Sequence, residues 1–188
     1  MKKTDNLRQL AKRNFVFTIN DAKRIVGEGY ASLILNKMLR RGEINRITKG
    51  FYSIYDDPSL IVHCLRPAYI GLQDAMSYHG LWEQETSTIV ITTRKVRSGL
   101  RKAFGNNVIV RRISSNYFFG FDFMEIDEIV LPVSDVEKTF IDLVYFTEMK
   151  KEYLKLFEDR LNRGTTLDYV RKYGQRFRVR VLKFLNMT

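Results

Sequence analysis

Apolar and polar residues follow two rhythms along this chain, and the first 55 residues carry both. Leu7, Leu10 and Ala11 fall at helical spacing in "NLRQLAKR", which predicts a short first helix. "FVFTI" reads as a brief extended piece. Asn20 is placed to cap a second helix over "DAKRIV", with Gly27 and Gly29 ending it in a flexible turn. From Tyr30 to Arg41, Ala31, Ile34, Leu35 and Met38 stand at i, i+3, i+4 and i+7. That is the inward stripe of an amphipathic helix, and Gly42 fits its C-terminal stop. The rhythm then changes. In "RRGEINRITKGFYSI", residues 41–55, apolar and polar residues alternate, break at Thr48-Lys49-Gly50, and alternate again. This predicts a hairpin whose Ile44, Ile47, Phe51 and Ile54 fasten it to the small domain. Helix, short helix, turn, longer helix, hairpin is the order of a winged helix-turn-helix.

Asp56-Asp57-Pro58 breaks this pattern, because the residue before a proline leaves the helical region. The predicted organisation is therefore α+β: a winged helix-turn-helix DNA-binding domain over 1–57, then a mixed α/β domain over 58–188. In the second part "GLQDAMSYHGL" reads as a helix closed by Gly80. "STIVITT", "NVIVRRI" and "EIVLPV" read as strands, and "NYFFGFDFMEI" as a hairpin or a strand kinked at Gly120. Ser134-x-x-Glu137 before an apolar run has the form of a capping box, starting a helix to about Phe146. "KKEYLKLFEDRL" suggests a further helix stopping near Gly164, and Thr166 a cap for "LDYVRKY". Over Arg176–Val181 strict alternation fits a strand, but Phe177, Val181, Phe184 and Leu185 also form a helical stripe. Helix is the preferred reading there.

Charge sharpens this outline. The 188 residues carry a net charge of +11, and 45% of them are hydrophobic, enough for a real core. Such a basic excess argues for a polyanionic partner, DNA, RNA or an anionic membrane, over a merely soluble basic protein. Residues 1–55 hold twelve Lys/Arg and four Asp/Glu. With Ala31, Ile34, Leu35 and Met38 turned inward, the third helix would present Ser32, Leu33, Asn36, Lys37 and Arg40. Asn reads adenine, Arg or Lys reads guanine, and an apolar side chain can meet a thymine methyl. Arg46, Thr48 and Lys49 stand at or near the hairpin tip, where they would meet phosphate or a minor groove. A second acid-free cluster, residues 94–112, holds Arg94, Lys95, Arg97, Arg101, Lys102, Arg111 and Arg112; a third, residues 171–183, holds Arg171, Lys172, Arg176, Arg178, Arg180 and Lys183. These would extend a nucleic-acid footprint or be solvated faces.

Cys64 is the one cysteine, so no internal disulfide is possible, and no Cys/His spacing suits zinc. No cofactor and no metal are expected. "MKKTDNLRQL" lacks the apolar run of a signal peptide, and no stretch approaches the ~20 apolar residues of a membrane helix. A cytoplasmic protein without a membrane partner is expected. Catalysis has little support. His63 and His79 lack recognisable partners, and no glycine loop suits a phosphate. Asp142, Glu148 and Lys150 faintly resemble a metal-dependent nuclease triad, but helical salt-bridge spacing accounts for them. Asp122, Glu125, Asp127 and Glu128 read as an acidic patch opposing the basic surface, rather than as metal ligands. The expectation is no enzyme; an RNA-binding module is the main alternative.

"LNKMLRRGEINRITKGFYSI" resembles the winged-helix segment of the AbiEi-type antitoxins of bacterial and archaeal abortive-infection systems. "YIGLQDAMSYHGLWEQ" is similar to the segment that follows in that family. "LPVSDVEKTFIDLV" is similar to its later helix start, at Ser134, Glu137, Lys138, Thr139 and Asp142. The resemblance spans roughly residues 5–145, in order. It implies an antitoxin that represses its own toxin–antitoxin operon at double-stranded operator DNA, with the later domain serving antitoxicity. Because repressors often bind palindromes as dimers, an inverted repeat and a homodimer on DNA are expected. The resemblance also implies a nucleotidyltransferase-type toxin as functional pair, with no stable complex between the two. No catalytic residue carries over; Thr139 and Asp142 read as helix-start and packing residues.

Overall fold

The computed structural model describes residues 2–84 and 87–185. The architecture is mixed α and β, with a three-stranded and a six-stranded sheet. Helix α1 (Lys2–Arg13) leads to a two-residue strand β1 (Phe17–Thr18), then α2 (Ile19–Val26) and α3 (Glu28–Arg40). The cap of α2 is Thr18, not Asn20. Its side chain accepts from the Asp21 amide while the Asp21 carboxylate accepts from the Thr18 amide at 2.8 Å, a reciprocal capping box. Gly27, at φ 95°, ends α2 and begins α3 in a single residue, so α3 starts at Glu28 and Gly29 lies inside it. Only a residue without Cβ turns the chain there at no steric cost.

The hairpin follows as β2 (Asn45–Thr48) and β3 (Phe51–Ser53), in the order β1-β3-β2, with a bulge between Arg46 and Thr48. Leu7, Ala11, Phe17, Ala22, Val26, Ala31, Leu35, Met38, Ile44 and Tyr52 form the core of this unit. Ile34, expected inside, is only half-buried at its rim. Two hairpin residues depart from expectation. Ile44 and Ile54 pack on the small unit, but Ile47 and Phe51 pack into the body that follows. The β1–β3 pairing turns alternate hairpin residues to opposite faces, and the second face meets the larger sheet.

That body is built on six strands ordered β6-β7-β5-β4-β9-β8. They are β4 (Ala68–Ile70), β5 (Thr88–Thr92), β6 (Gly99–Ala103), β7 (Asn106–Arg112), β8 (Phe121–Ile126) and β9 (Ile129–Ser134). β4 with β9 and β5 with β7 pair in parallel, and the remaining neighbours antiparallel. β4 and β6 had no counterpart in the sequence pattern. Helix α4 (Ile61–Cys64) and the hairpin cover one face, burying Val90, Val108, Val110, Leu131 and Val133. On the other face lie α5 (Leu72–Tyr78), α6 (Val136–Tyr145), α7 (Lys151–Phe157), α8 (Arg163–Val170) and α9 (Gln175–Leu185), burying Ile89 and Ile91 of the sheet with Phe140, Leu143 and Phe157 of the helices. Each such side chain contributes about 1.5–3 kcal/mol on leaving water.

Two further caps differ from the sequence reading. Asp135, not Ser134, caps α6 by accepting from the Lys138 amide; Ser134 ends β9, and its hydroxyl lies 2.7 Å from that of Thr139. Asn162, not Thr166, caps α8, and the Thr166 hydroxyl donates to the Asn162 carbonyl inside the helix. The tail forms the helix α9, and among the described residues no helix is long and apolar enough to cross a membrane.

Candidate nucleic-acid interface

The outward side of α3 follows from its inward one. With Ala31, Leu35 and Met38 buried, Ser32, Leu33, Asn36, Lys37 and Arg40 are all exposed, Leu33 by 66%. Lys37 and Arg40 make no ion pair among the described residues. The sequence reading missed Tyr30, 65% exposed one turn before Leu33. The spacing Tyr30, Leu33, Lys37 on one helical stripe could have revealed it. Two large apolar side chains side by side on a solvated helix are the sort of patch that marks a contact surface.

Behind this face, Arg8 on α1 grips Glu43 at the end of the α3 turn. Its Nε donates to Glu43 Oε2 at 2.8 Å and its Nη2 to Oε1 at 3.1 Å. The Arg8 hydrogen bond and charge hold the Glu43 carboxyl below the usual glutamate range. This bidentate clamp neutralises Glu43 beside α3's C-terminal end and fixes α1 against the α3–β2 turn.

The hairpin tip is not free. Ile47 and Phe51 anchor it on the larger sheet, and the Phe104 amide donates to the Ile47 carbonyl at 3.3 Å. This docking brings distant sequence together. Thr48 and Lys49 line one groove, of about 500 Å3, with Arg94, Arg101 and Lys102, over a floor of Phe51, Ile61, Cys64, Leu65 and Val96. The Arg94 guanidinium is oriented by the Cys64 carbonyl (3.0 Å) and that of Arg101 by the Arg97 carbonyl (2.8 Å). Both use neutral acceptors and keep their charge uncompensated. Among the described residues no ion pair involves Arg46, Lys49, Arg94, Lys95, Arg97, Arg101 or Lys102. Lys95 and Arg97 are exposed beside the groove without lining it, and Arg46 lies exposed over the Tyr52 ring at 5.8 Å. Burial pushes the Cys64 thiol up to about 12, so the groove floor holds no thiolate at neutral pH.

Several of the remaining basic residues are otherwise engaged, while Arg112, Arg176 and Lys183 are exposed. Arg111 pairs with Glu148 at 2.7 Å, which separates it from the 94–102 cluster. Arg171 pairs with Asp168, Lys172 lies 3.8 Å from the Phe119 ring centre, Arg178 donates to the Tyr173 carbonyl, and Arg180 donates to the Val144 carbonyl. In this third cluster Lys172 and Arg180 pin α8 and α9 to the body, while Arg171 and Arg178 bond within α8 and its turn into α9. The faint nuclease triad is dispersed: Asp142 is wholly buried against Lys138, Glu148 faces Arg111, and Lys150 pairs with Glu152 on the surface. Among the described residues, no group of three His, Cys, Asp or Glu could hold a metal.

No protein-family model matches the sequence, and no curated protein matches it. Among solved structures, the chain is similar to the RV2827C protein from Mycobacterium tuberculosis. That likeness has a TM-score of 0.63 at 13% identity, over 97% of this chain and 74% of that one. It is a likeness of fold, and it takes in both the N-terminal unit and the six-stranded body.

Proposed function

We propose that the protein is a sequence-specific double-stranded DNA-binding transcriptional regulator whose N-terminal unit is a winged helix-turn-helix. In this reading α3 is the recognition helix, β2–β3 the wing, and Arg94, Lys95, Arg97, Arg101 and Lys102 a phosphate-binding extension. The observation that carries it is the single groove shared by the wing tip and the 94–102 segment. Its cations have no internal carboxylate, on a protein of net charge +11. Asn36, Lys37 and Arg40 read bases, Leu33 meets a thymine methyl, and Lys49 holds phosphate. The resemblance to AbiEi-type antitoxins extends the proposal to an antitoxin repressing its own operon, and the habit of repressors to bind palindromes as dimers adds a homodimer on an inverted repeat. There it would be functionally paired with a nucleotidyltransferase-type toxin that it does not stably bind. The chain performs no catalytic step in this account.

Two substitutions separate the roles. Arg40→Ala is expected to cost about 1–3 kcal/mol on the preferred sequence and to relax discrimination at one base pair. Lys49→Ala is expected to weaken binding to all duplexes about equally. Fluorescence anisotropy on an operator and on scrambled duplexes measures both. Equal loss of discrimination from the two variants would contradict the assigned roles, and a hairpin RNA that outcompetes the duplex would move the assignment to RNA.

A further inference from the structure

The two edges of the six-stranded sheet differ in character. The β6 edge belongs to the basic groove. The opposite edge, β8, has the sequence Phe121-Asp122-Phe123-Met124-Glu125-Ile126 and pairs only with β9. Among the described residues, no backbone hydrogen bond reaches β8 from outside that ladder. Asp122, Glu125, Asp127 and Glu128 are exposed, and none makes an ion pair among the described residues. Alternation puts Phe121 and Phe123 on one face, where they line a trough of about 670 Å3 with Phe118, Pro67, Pro132 and Arg66. Phe123 is 70% exposed. Charges on an edge strand ordinarily guard it from pairing with other chains. A guard accounts for the acids. It does not account for a phenylalanine left in water above an apolar trough, on a strand free of proline.

We infer that β8 and its trough form a docking edge for an extended, basic segment of a partner protein, which adds as a seventh strand. Main-chain bonds to the open side of β8 supply registry, apolar side chains of the segment cover Phe121 and Phe123, and its cations, on the other face, answer Asp122 and the turn acids Asp127 and Glu128. Arg66, already donating to His63 Nδ1 at 2.7 Å, stands at the trough wall with further N–H groups for a carbonyl of the segment. Charge complementarity selects the occupant. A two-fold pairing of β8 with β8 of a second copy would set acid against acid, and an acidic polymer such as nucleic acid would be repelled. The β6 edge lies at the far side of the sheet, so DNA and the segment can be held together.

The test uses the full chain and a fluorescein-labelled peptide of about twelve residues alternating lysine and valine. A peptide of the same composition with the alternation scrambled serves as control. The alternating peptide is expected to bind, and to protect the amides of β8 from hydrogen exchange. Phe123→Ser and Asp122→Lys are each expected to weaken it about tenfold or more, with duplex DNA affinity not reduced. Both positions are exposed, so circular dichroism should report an unchanged fold. No binding of the alternating peptide would overturn the inference, as would equal binding of the scrambled control or full binding by Phe123→Ser. Concentration-dependent self-association of the chain, abolished by Phe123→Ser, would assign the trough to a second copy and equally overturn it.

Discussion

Lys138 and Asp142 lie one turn apart on α6 with no exposure to solvent. Lys138 Nζ donates to Asp142 and, at 3.1 Å, to the Tyr173 hydroxyl, while the Tyr69 hydroxyl donates to Asp142 Oδ2 at 2.7 Å. Tyr69, Phe119 and Tyr173 ring the ammonium. Burial pushes Lys138 down and Asp142 up, and their mutual attraction opposes both shifts. Breaking such a pair leaves a buried charge alone. Asp142→Ala is therefore expected to cost about 3–5 kcal/mol in urea unfolding, and Lys138→Met with Asp142→Leu to recover most of that loss. The i, i+4 spacing of this pair was legible in the sequence, where Asp142 also reads as a packing residue, but the burial of Lys138 beside it was not legible. Charged residues on a short helix are normally placed on its solvated side. Here α8, α9 and the bend at Gly120 close over it; a Cβ at Gly120 would stand 2.9 Å from that of Lys138. His63 is a second buried group. Its Nε2–H donates to the Val130 carbonyl at 2.8 Å, and its ring stacks on Phe15 at 6.3 Å where the two units meet. Burial first, then Arg66, lowers its pKa from 6.5. Between that lowered value and 6.5 the unfolded chain holds a proton that the folded chain lacks, so stability falls as the pH drops through about 6.5. Thermal melts from pH 8 to 5 are expected to show this loss, and His63→Gln to reduce it.

Among elements, those with a long period or an alternating run were legible. The α3 stripe, the hairpin, β5, β7, β9 and α6 sit close to where the pattern places them. The misses have local causes. Asn20 is a good capping residue, but the reciprocal pair Thr18–Asp21 begins the helix before it. β4 has three residues, and β6, "GLRKA", holds one fully buried side chain, Ala103. Strands this short or this polar are fixed by backbone pairing to neighbours, which periodicity does not report. The same limit hid the joining of the hairpin tip to residues 94–102: alternation alone assigns Ile47 and Phe51 to the small domain with Ile44 and Ile54, whereas both pack into the body. That docking has a measurable weight. Ile47→Ala is expected to destabilise the protein by about 2–5 kcal/mol in denaturant unfolding. A change well under 1 kcal/mol would mean that the tip is not held by the body.

Over the whole molecule, charge is laid out along one sheet. The β6 edge and the docked hairpin gather cations from two stretches some 50 residues apart in sequence, and β8 at the other edge gathers acids. The sequence made the clusters visible, including Arg94, Arg101 and Lys102. It could not tell which of them face one groove, since Arg111 and Arg171 look the same in the chain yet are neutralised by Glu148 and Asp168. The central claim is that the wing and the 94–102 segment form one phosphate-binding surface on a DNA-binding protein. Its most direct test is duplex affinity against salt concentration, for the wild type and for Lys49→Ala, Arg101→Ala and Lys102→Ala. Each neutralised phosphate steepens the log–log slope by about 0.9. The account predicts a steep slope for the wild type, flattened by about one in each variant, whichever side of the groove is altered. A slope unchanged in Arg101→Ala and Lys102→Ala, or no duplex binding even at low salt, would contradict it.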